Sequence, residues 1–320
     1  MAELAIIIGN GFDIDMGIPS KYSNFANSPE FHDLTKRMHD MFYEEERGKS
    51  LVMQLQRAYM ISNWFDIEEE IHKYVVNNSD LDENIIRLVR SEFDGLKKAL
   101  TKYLKRITTN YTANKDRMST YLLYKLRECP LTVAEINFNY TNPNDFLELP
   151  LQQELFNRAQ HWFTYVHGSL RDNDIVLGCD LQEGEKVNRQ LSFMYKYNML
   201  NRANHVARNL LEAKEIIFYG HSVNEMDFGY FREFFKAASA SPKPIRHLTF
   251  VTLDEKSERS IKDNIRNQGI SVTDLYNNLE TFTFIHTEKL YKQDAKETQK
   301  WDDTFKRILT KEKRGVKRIN

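Results

Sequence analysis

Five consecutive apolar positions, Leu4–Ile8, open the chain, and Gly9 and Gly11 end the run. A segment that short, with no polar face, predicts a strand buried on both sides. Between about residues 29 and 126 the hydrophobic period lengthens. Val52, Leu55 and Tyr59, then Ile85, Leu88 and Val89, then Phe93, Leu96, Leu100, Tyr103, Leu104 and Ile107 recur at three-to-four spacing. That spacing predicts amphipathic helices, punctuated only by Pro29, Gly48 and Gly95. Short strand-like runs then return at 132–138, 163–166, 175–177, 215–219, 247–253 and 281–285, with helical stretches at about 186–212, 227–239 and 255–267. Strands alternating with helices need crossover connections, so the sheet is expected to be mainly parallel. The expected architecture is a Rossmann-like three-layer α/β fold forming one domain over 1–320. A helical insertion or subdomain is expected at 29–128, after the first strand–helix unit.

Parallel sheets of this kind receive ligands beyond the carboxyl ends of their strands, so the residues that follow each run are the candidates for chemistry. After the first comes Gly9-Asn10-Gly11-Phe12-Asp13. Two glycines there let a phosphate reach backbone N–H groups at a helix start. A plain strand–helix turn explains them as well, because Ile14 occupies the third glycine position of the G-x-G-x-x-G pattern. If the turn seats phosphate, Gly11→Val removes nucleotide binding and spares the fold. The helix period turns Asp13 towards a ligand and Asp15 outwards, where its removal is expected to be silent.

After the second run comes Asn137-Phe138-Asn139-Tyr140-Thr141-Asn142, three amides in six residues. Strand alternation puts Asn137 and Asn139 on one side and Phe138 on the other. Asx capping of a turn accounts for one amide rather than three. His167-Gly168-Ser169 follows the next strand, where a general base would be presented. Gly220-His221-Ser222 and then Asp227 follow 215–219, and Asp254 follows 247–253, an acidic strand end of the kind that accepts ribose hydroxyls.

Composition narrows the classes. Hydrophobic residues at 41% and charged residues at 28% describe a globular chain, and a net charge of −1 provides no global field for nucleic acid. No sequence-specific nucleic-acid contact is expected. No apolar run approaches the ~18 residues of a membrane span, and the start lacks a secretory signal, so a cytoplasmic protein is expected. Cys129 and Cys179 are the only cysteines, which excludes a disulfide scaffold and a four-cysteine zinc site. The segment from Trp64 to Glu70 reads as an acidic exposed face beside a buried Trp64/Phe65 edge, or as a pocket mouth carrying Asp66 or Glu68. His72 nearby has no third ligand at metal spacing, so no metal is expected. Met194, Tyr195 and Tyr197 read as core or interface, and the basic tail 311–320 as a frayed terminus with a weak nucleic-acid contact as the lesser reading.

Gly9-x-Gly11 with Gly17-Ile18-Pro19 resembles the nucleotide loop of sirtuins, His167-Gly168-Ser169 their catalytic segment, and Gly220-His221-Ser222-Val223 their G-T-S-L. More closely, IIGNGFDIDMGIPSKYSNF, WFDIEEEI, NFNYTN, VHGSL and FYGHSVNEMDFGYF, in that order along the chain, resemble the AbiH family of phage abortive-infection proteins. The resemblance implies a sirtuin-like fold without the zinc ribbon, hence no zinc and no protein deacylation. Asn10 and Asp13 stand where sirtuins carry alanine and serine, and Thr141 where they carry an aspartate.

The resemblance further implies an antiphage effector that hydrolyses NAD, its substrate, at the nicotinamide–ribose bond. Asn139 and His167 would be catalytic. Gly9, Asn10, Gly11, Asp13, Pro19, Asn137, Gly220, His221, Ser222, Asp227 and Asp254 would bind the nucleotide. The alternatives are a nucleotide-binding sensor or partner subunit without turnover, and a hydrolase of another nucleotide or of nucleic acid. Expected partners are the nucleotide and either a second copy of the chain or a defence-system protein, with no membrane.

Overall fold

The computed structural model describes residues 2–61, 65–148, 161–181, 184–196, 205–240 and 246–310. Six strands form one wholly parallel sheet: β1 (Leu4–Ile8), β2 (Val133–Asn137), β3 (His161–Tyr165), β4 (Glu215–Tyr219), β5 (His247–Thr252) and β6 (Thr281–His286). Their order across the sheet is β3-β2-β1-β4-β5-β6, which is the order of doubly wound dinucleotide-binding sheets. The chain leaves β1 to one side and β4 to the other, so the topological switch point lies at the carboxyl ends of β1 and β4.

Helices flank the sheet: α1 (Asn10–Met16), α2 (Tyr22–Ala26), α3 (Pro29–Met41), α4 (Leu51–Ile61), α5 (Ile67–Asn77), α6 (Glu83–Thr108) and α7 (Met118–Glu128) precede β2. Later come α8 (Val206–Glu212), α9 (Glu225–Ala240), α10 (Glu255–Asn267), α11 (Val272–Asn278), α12 (Thr287–Tyr291) and α13 (Ala295–Leu309). Alternation along β1 divides its side chains between two cores. Leu4, Ile6 and Ile8 join Phe12, α7 and α13 on one face, and Ala5 and Ile7 join α8, α9 and α11 on the other. A third core, from Phe25 to Leu104, holds α2 to α6 together and also takes in Tyr140, Leu177 and Tyr195.

One expected strand is absent. Residues 175–177 are loop, tied to the sheet region by a bond from Val176 N to His167 O at 2.7 Å. The run is apolar because Leu177 packs against the helical core, not because it pairs in the sheet. The third strand also sits two residues earlier than its apolar run suggests, at His161–Tyr165.

Candidate functional site

The turn after β1 lies directly against the end of β4. Gly9 N donates to Tyr219 O at 3.0 Å, and Gly11 N to Gly220 O at 2.8 Å. A Cβ at Gly9 would stand 2.6 Å from His221 Cα, one at Gly11 2.6 Å from Gly220 Cα, and one at Gly220 2.2 Å from Phe12 N. Gly220 also has φ of +65°, a region side chains disfavour. Three glycines therefore let two strand ends touch. The expectation that Gly11→Val spares the fold is corrected on this ground. A valine there meets backbone that cannot yield, so its thermal midpoint is expected to fall with and without nucleotide. Scanning calorimetry reads this, and an unchanged midpoint would contradict the close approach.

The three amides after β2 each have a separate job. Asn137 is wholly buried; its Oδ1 accepts from Asn139 N at 3.0 Å and its Nδ2 donates to Thr141 O at 2.6 Å, closing the turn. Asn139 Nδ2 donates to Gly9 O at 3.1 Å and to Asp13 Oδ1 at 2.8 Å, so it binds the turn to α1. Asn142 Oδ1 caps a short 3-10 helix (Pro143–Phe146) by accepting from Asn144 N at 3.0 Å. Turn chemistry accounts for Asn137 and Asn142, one amide more than the sequence suggests, while Asn139 makes a long-range contact that no turn requires. Thr141 Oγ1 donates to the second oxygen of Asp13. Burial raises the Asp13 carboxyl to about 6, against the Thr141 and Asn139 bonds that favour its charge.

Asp13 does point inward, towards the strand ends, but Asp15 is not idle on an outer face. Its carboxylate accepts from Ser119 N at 2.8 Å at the start of α7, from the Tyr219 hydroxyl at 2.8 Å and from the Tyr291 hydroxyl at 2.7 Å. Asp15→Ala leaves the buried Tyr219 hydroxyl and a helix-start N–H short of a partner. The expected loss is about 1–3 kcal/mol in urea unfolding, with Asp15→Asn losing less. An Asp15→Ala variant as stable as the parent would show these bonds to be idle.

The second cluster is built of buried charge. His167 follows β3, and Phe138 packs its ring edge to face against it with centroids 5.3 Å apart. Asp227 lies in the first turn of α9, where its N–H donates to Asn224 Oδ1 at 3.0 Å. Asp227 Oδ1 stands 3.2 Å from His167 Nε2 and 3.3 Å from Lys196 Nζ. Lys196 is wholly buried, and its Nζ also donates to Glu68 Oε2 of α5 at 2.7 Å. The backbone fixes that lysine: Cys179 N bonds Met194 O at 2.9 Å, and Lys196 N bonds Cys179 O at 3.0 Å. The loop beyond His167 thus carries Lys196 back to the strand end.

His221 completes the group. Its Nδ1 accepts from Val223 N at 3.0 Å, which puts the ring proton on Nε2, facing Asp227 Oδ2 at 3.6 Å. Burial, with His167 and Lys196 adding to it, lowers His221 to about 4 despite Asp227. Burial and Lys196 likewise lower His167 against the pull of Asp227, so both rings are neutral at cellular pH. Burial alone would raise the Asp227 carboxyl, but Lys196, His167 and His221 hold it far below the carboxylate range. Burial would strip the Lys196 proton, yet Asp227 and Glu68 hold the ammonium well above the lysine range. Burial, with Asp227 and Asp66 adding to it, pushes Glu68 up, and Glu68 Oε1 has no hydrogen-bond partner among the described residues.

Asn139 and His167 both stand at the carboxyl edge, but no hydrogen bond joins them among the described residues. Asn139 belongs with Asp13, and His167 with Asp227 and Lys196. Other candidates lie apart. Asn10 is exposed and accepts from Ser20 Oγ, and the exposed Pro19 gives its carbonyl to the Tyr103 hydroxyl. Ser222 is exposed, with its carbonyl accepting from Asn264 at 3.0 Å. Asp254 is the N-cap of α10, accepting from the N–H and hydroxyl of Ser257, both at 2.8 Å.

In the acidic phrase, Asp66 caps α5 and only Glu69 is exposed; Glu68 turns inward, and Trp64 lies outside the described residues, as does Tyr197. His72 stands 3.0 Å from Glu185, and no group of three metal-ligating side chains exists among the described residues. Both cysteines are buried and neither forms a disulfide.

Sequence reasoning missed Lys196. Its signal was a lone lysine within the apolar and aromatic run Phe193-Met194-Tyr195-Lys196-Tyr197, where a charge needs a buried partner.

The fold and site define a parallel α/β protein with a buried titratable cluster at the edge where such sheets receive ligands. The chain matches the family described as bacteriophage abortive infection AbiH over residues 5–246. It belongs to that family, and membership carries a role in abortive infection. No curated protein matches the chain. No helix among the described residues is long and apolar enough to cross a membrane.

Proposed function

We propose that this chain is an abortive-infection effector that hydrolyses NAD at the nicotinamide–ribose bond. The observation that carries the reading is the buried His167–Asp227 pair, with Lys196 and Glu68, at the carboxyl edge of a sheet ordered 3-2-1-4-5-6. In the reaction a water oxygen bonds to the ribose C1′ as the C1′–N bond breaks. The bonding pair goes to the pyridinium nitrogen, so nicotinamide leaves neutral and needs no acid. The developing oxocarbenium needs negative charge nearby, and the water must lose a proton. Asp227, held ionised, supplies the charge and orients His167, and the neutral imidazole accepts the proton.

A sirtuin-like arrangement of the ligand would lay the nucleotide along the ends of β1, β2 and β4, with Asn139 and Asp13 beside a ribose. Incubating the purified protein with NAD, ATP and plasmid, then separating products by chromatography, tests the reading. The expected result is nicotinamide and ADP-ribose in equal amounts, with ATP and plasmid intact. Nucleotide binding with no product, even in protein taken from phage-infected cells, would overturn hydrolysis in favour of a sensor without turnover.

A further inference from the structure

The exposed face of α6 presents a feature that the carboxyl-edge site does not use. Two adjoining surface cavities, of about 770 and 620 Å3, run along this helix and share Asp94 and Lys98. The first is lined by Arg37 of α3 and by Arg87 and Arg90 of α6, together with Lys98. The second adds Lys97, Lys102 and Lys105. Seven cationic side chains therefore face two carboxylates, Asp40 and Asp94, in a chain whose net charge is −1. The basic stripe is local, and the rest of the chain is net acidic.

Part of that charge is committed nearby. Arg87 pairs with Glu83 at 2.6 Å, Lys97 with Asp94 at 3.5 Å, Arg90 lies over the Phe193 ring at 4.4 Å, and Lys105 donates to Asn173 at 3.2 Å. Lys98 and Lys102, both exposed, have no acidic partner among the described residues. Keeping such like charges together on one face costs self-repulsion, which an anionic partner relieves.

We propose that the α6 face binds double-stranded nucleic acid through its phosphates. At 1.5 Å per residue, the stretch from Arg87 to Lys105 spans about 27 Å, or roughly eight base pairs of duplex. Single-strand binders stack bases on aromatic rings, and neither cavity has an aromatic residue in its lining. Without base-edge readers the contact is independent of sequence, and it supplies affinity through release of counterions.

Fluorescence anisotropy with a labelled 20-base-pair duplex of arbitrary sequence, across salt concentrations, tests the proposal on the full chain. Affinity is expected to fall with salt, the slope of log K against log salt being about −0.9 for each phosphate neutralised. Lys98→Glu with Lys102→Glu should weaken binding at least about tenfold and make the slope shallower by about two. Both side chains are exposed, so circular dichroism should be unchanged, and NAD turnover, if present, should persist because neither residue is at the strand ends. A variant lacking the basic residues 311–320 separates the tail from the helix. Loss of all binding with the tail, normal binding by the double variant, or tighter binding of the single strand than of the duplex would each overturn the proposal.

Discussion

Lys196→Met is expected to cost the fold about 3–5 kcal/mol, the range for removing one partner from a buried charge network. The lysine is wholly buried and faces Glu68 Oε2 at 2.7 Å and Asp227 Oδ1 at 3.3 Å. A methionine fills most of the volume but leaves two buried carboxyls with no ammonium between them. They respond by taking up protons, since burial already pushes Glu68 up and Lys196 is the strongest influence holding Asp227 down. The sign of the pH dependence follows. A carboxyl whose folded pKa is raised binds its proton more tightly folded than unfolded. Its contribution is complete below the unfolded pKa and is lost as pH rises through the folded value. The deficit of Lys196→Met is therefore expected to be smaller near pH 5 than near pH 8. Urea unfolding at the two pH values measures it. Adding Asp227→Asn should recover part of the loss, because one orphaned charge disappears. A single variant within about 0.5 kcal/mol of the parent at pH 8 would show that the ion network contributes nothing net.

The buried charge explains why the sheet was legible in the sequence and the site only in part. Strands β1 and β4 coincide with their apolar runs because both are central and covered on two faces, so no polar residue interrupts the pattern. Strand β3 is at the sheet edge with only partial burial, and its His161 and Trp162 do not resemble a central strand, so its apolar run begins two residues inside the strand. The loop at 175–177 reads as a strand because local hydrophobicity cannot say which core a residue joins.

At the site, the positions of His167 and Asp227 follow from their places after a strand and at a helix start. Lys196 and Glu68 come from segments 29 and 128 residues from those they meet, His167 and Lys196 respectively, so local spacing cannot pair them. The glycines of the first turn were legible as a close approach, but not as an approach to what. The neighbour is the backbone of Gly220 and His221, more than 200 residues away.

His167→Ala is expected to lower NAD turnover by about 10²–10⁴-fold, the usual contribution of a general base, with nucleotide affinity largely kept. Asp227→Asn should fall in the same range although it does not take the proton. In the proposed reaction it would lose the charge that stabilises the developing oxocarbenium, together with the partner that stands 3.2 Å from the imidazole. The double variant should be little worse than the poorer single, because groups that act as a unit are lost together. A structural role alone would also lower turnover, so the pH profile must separate the two. The base works only when neutral, and burial with Lys196 lowers its pKa from 6.5 against the pull of Asp227. Wild-type turnover should therefore hold level as pH falls through 6.5 and decline only below it. Removing the Asp227 charge takes away the one influence that raises His167, so the acid decline of Asp227→Asn should move lower still. An acid limb that stays in place in Asp227→Asn, or near-normal turnover in His167→Ala, would remove His167 from the chemistry. Nucleotide binding at this edge would then be the function left to the cluster.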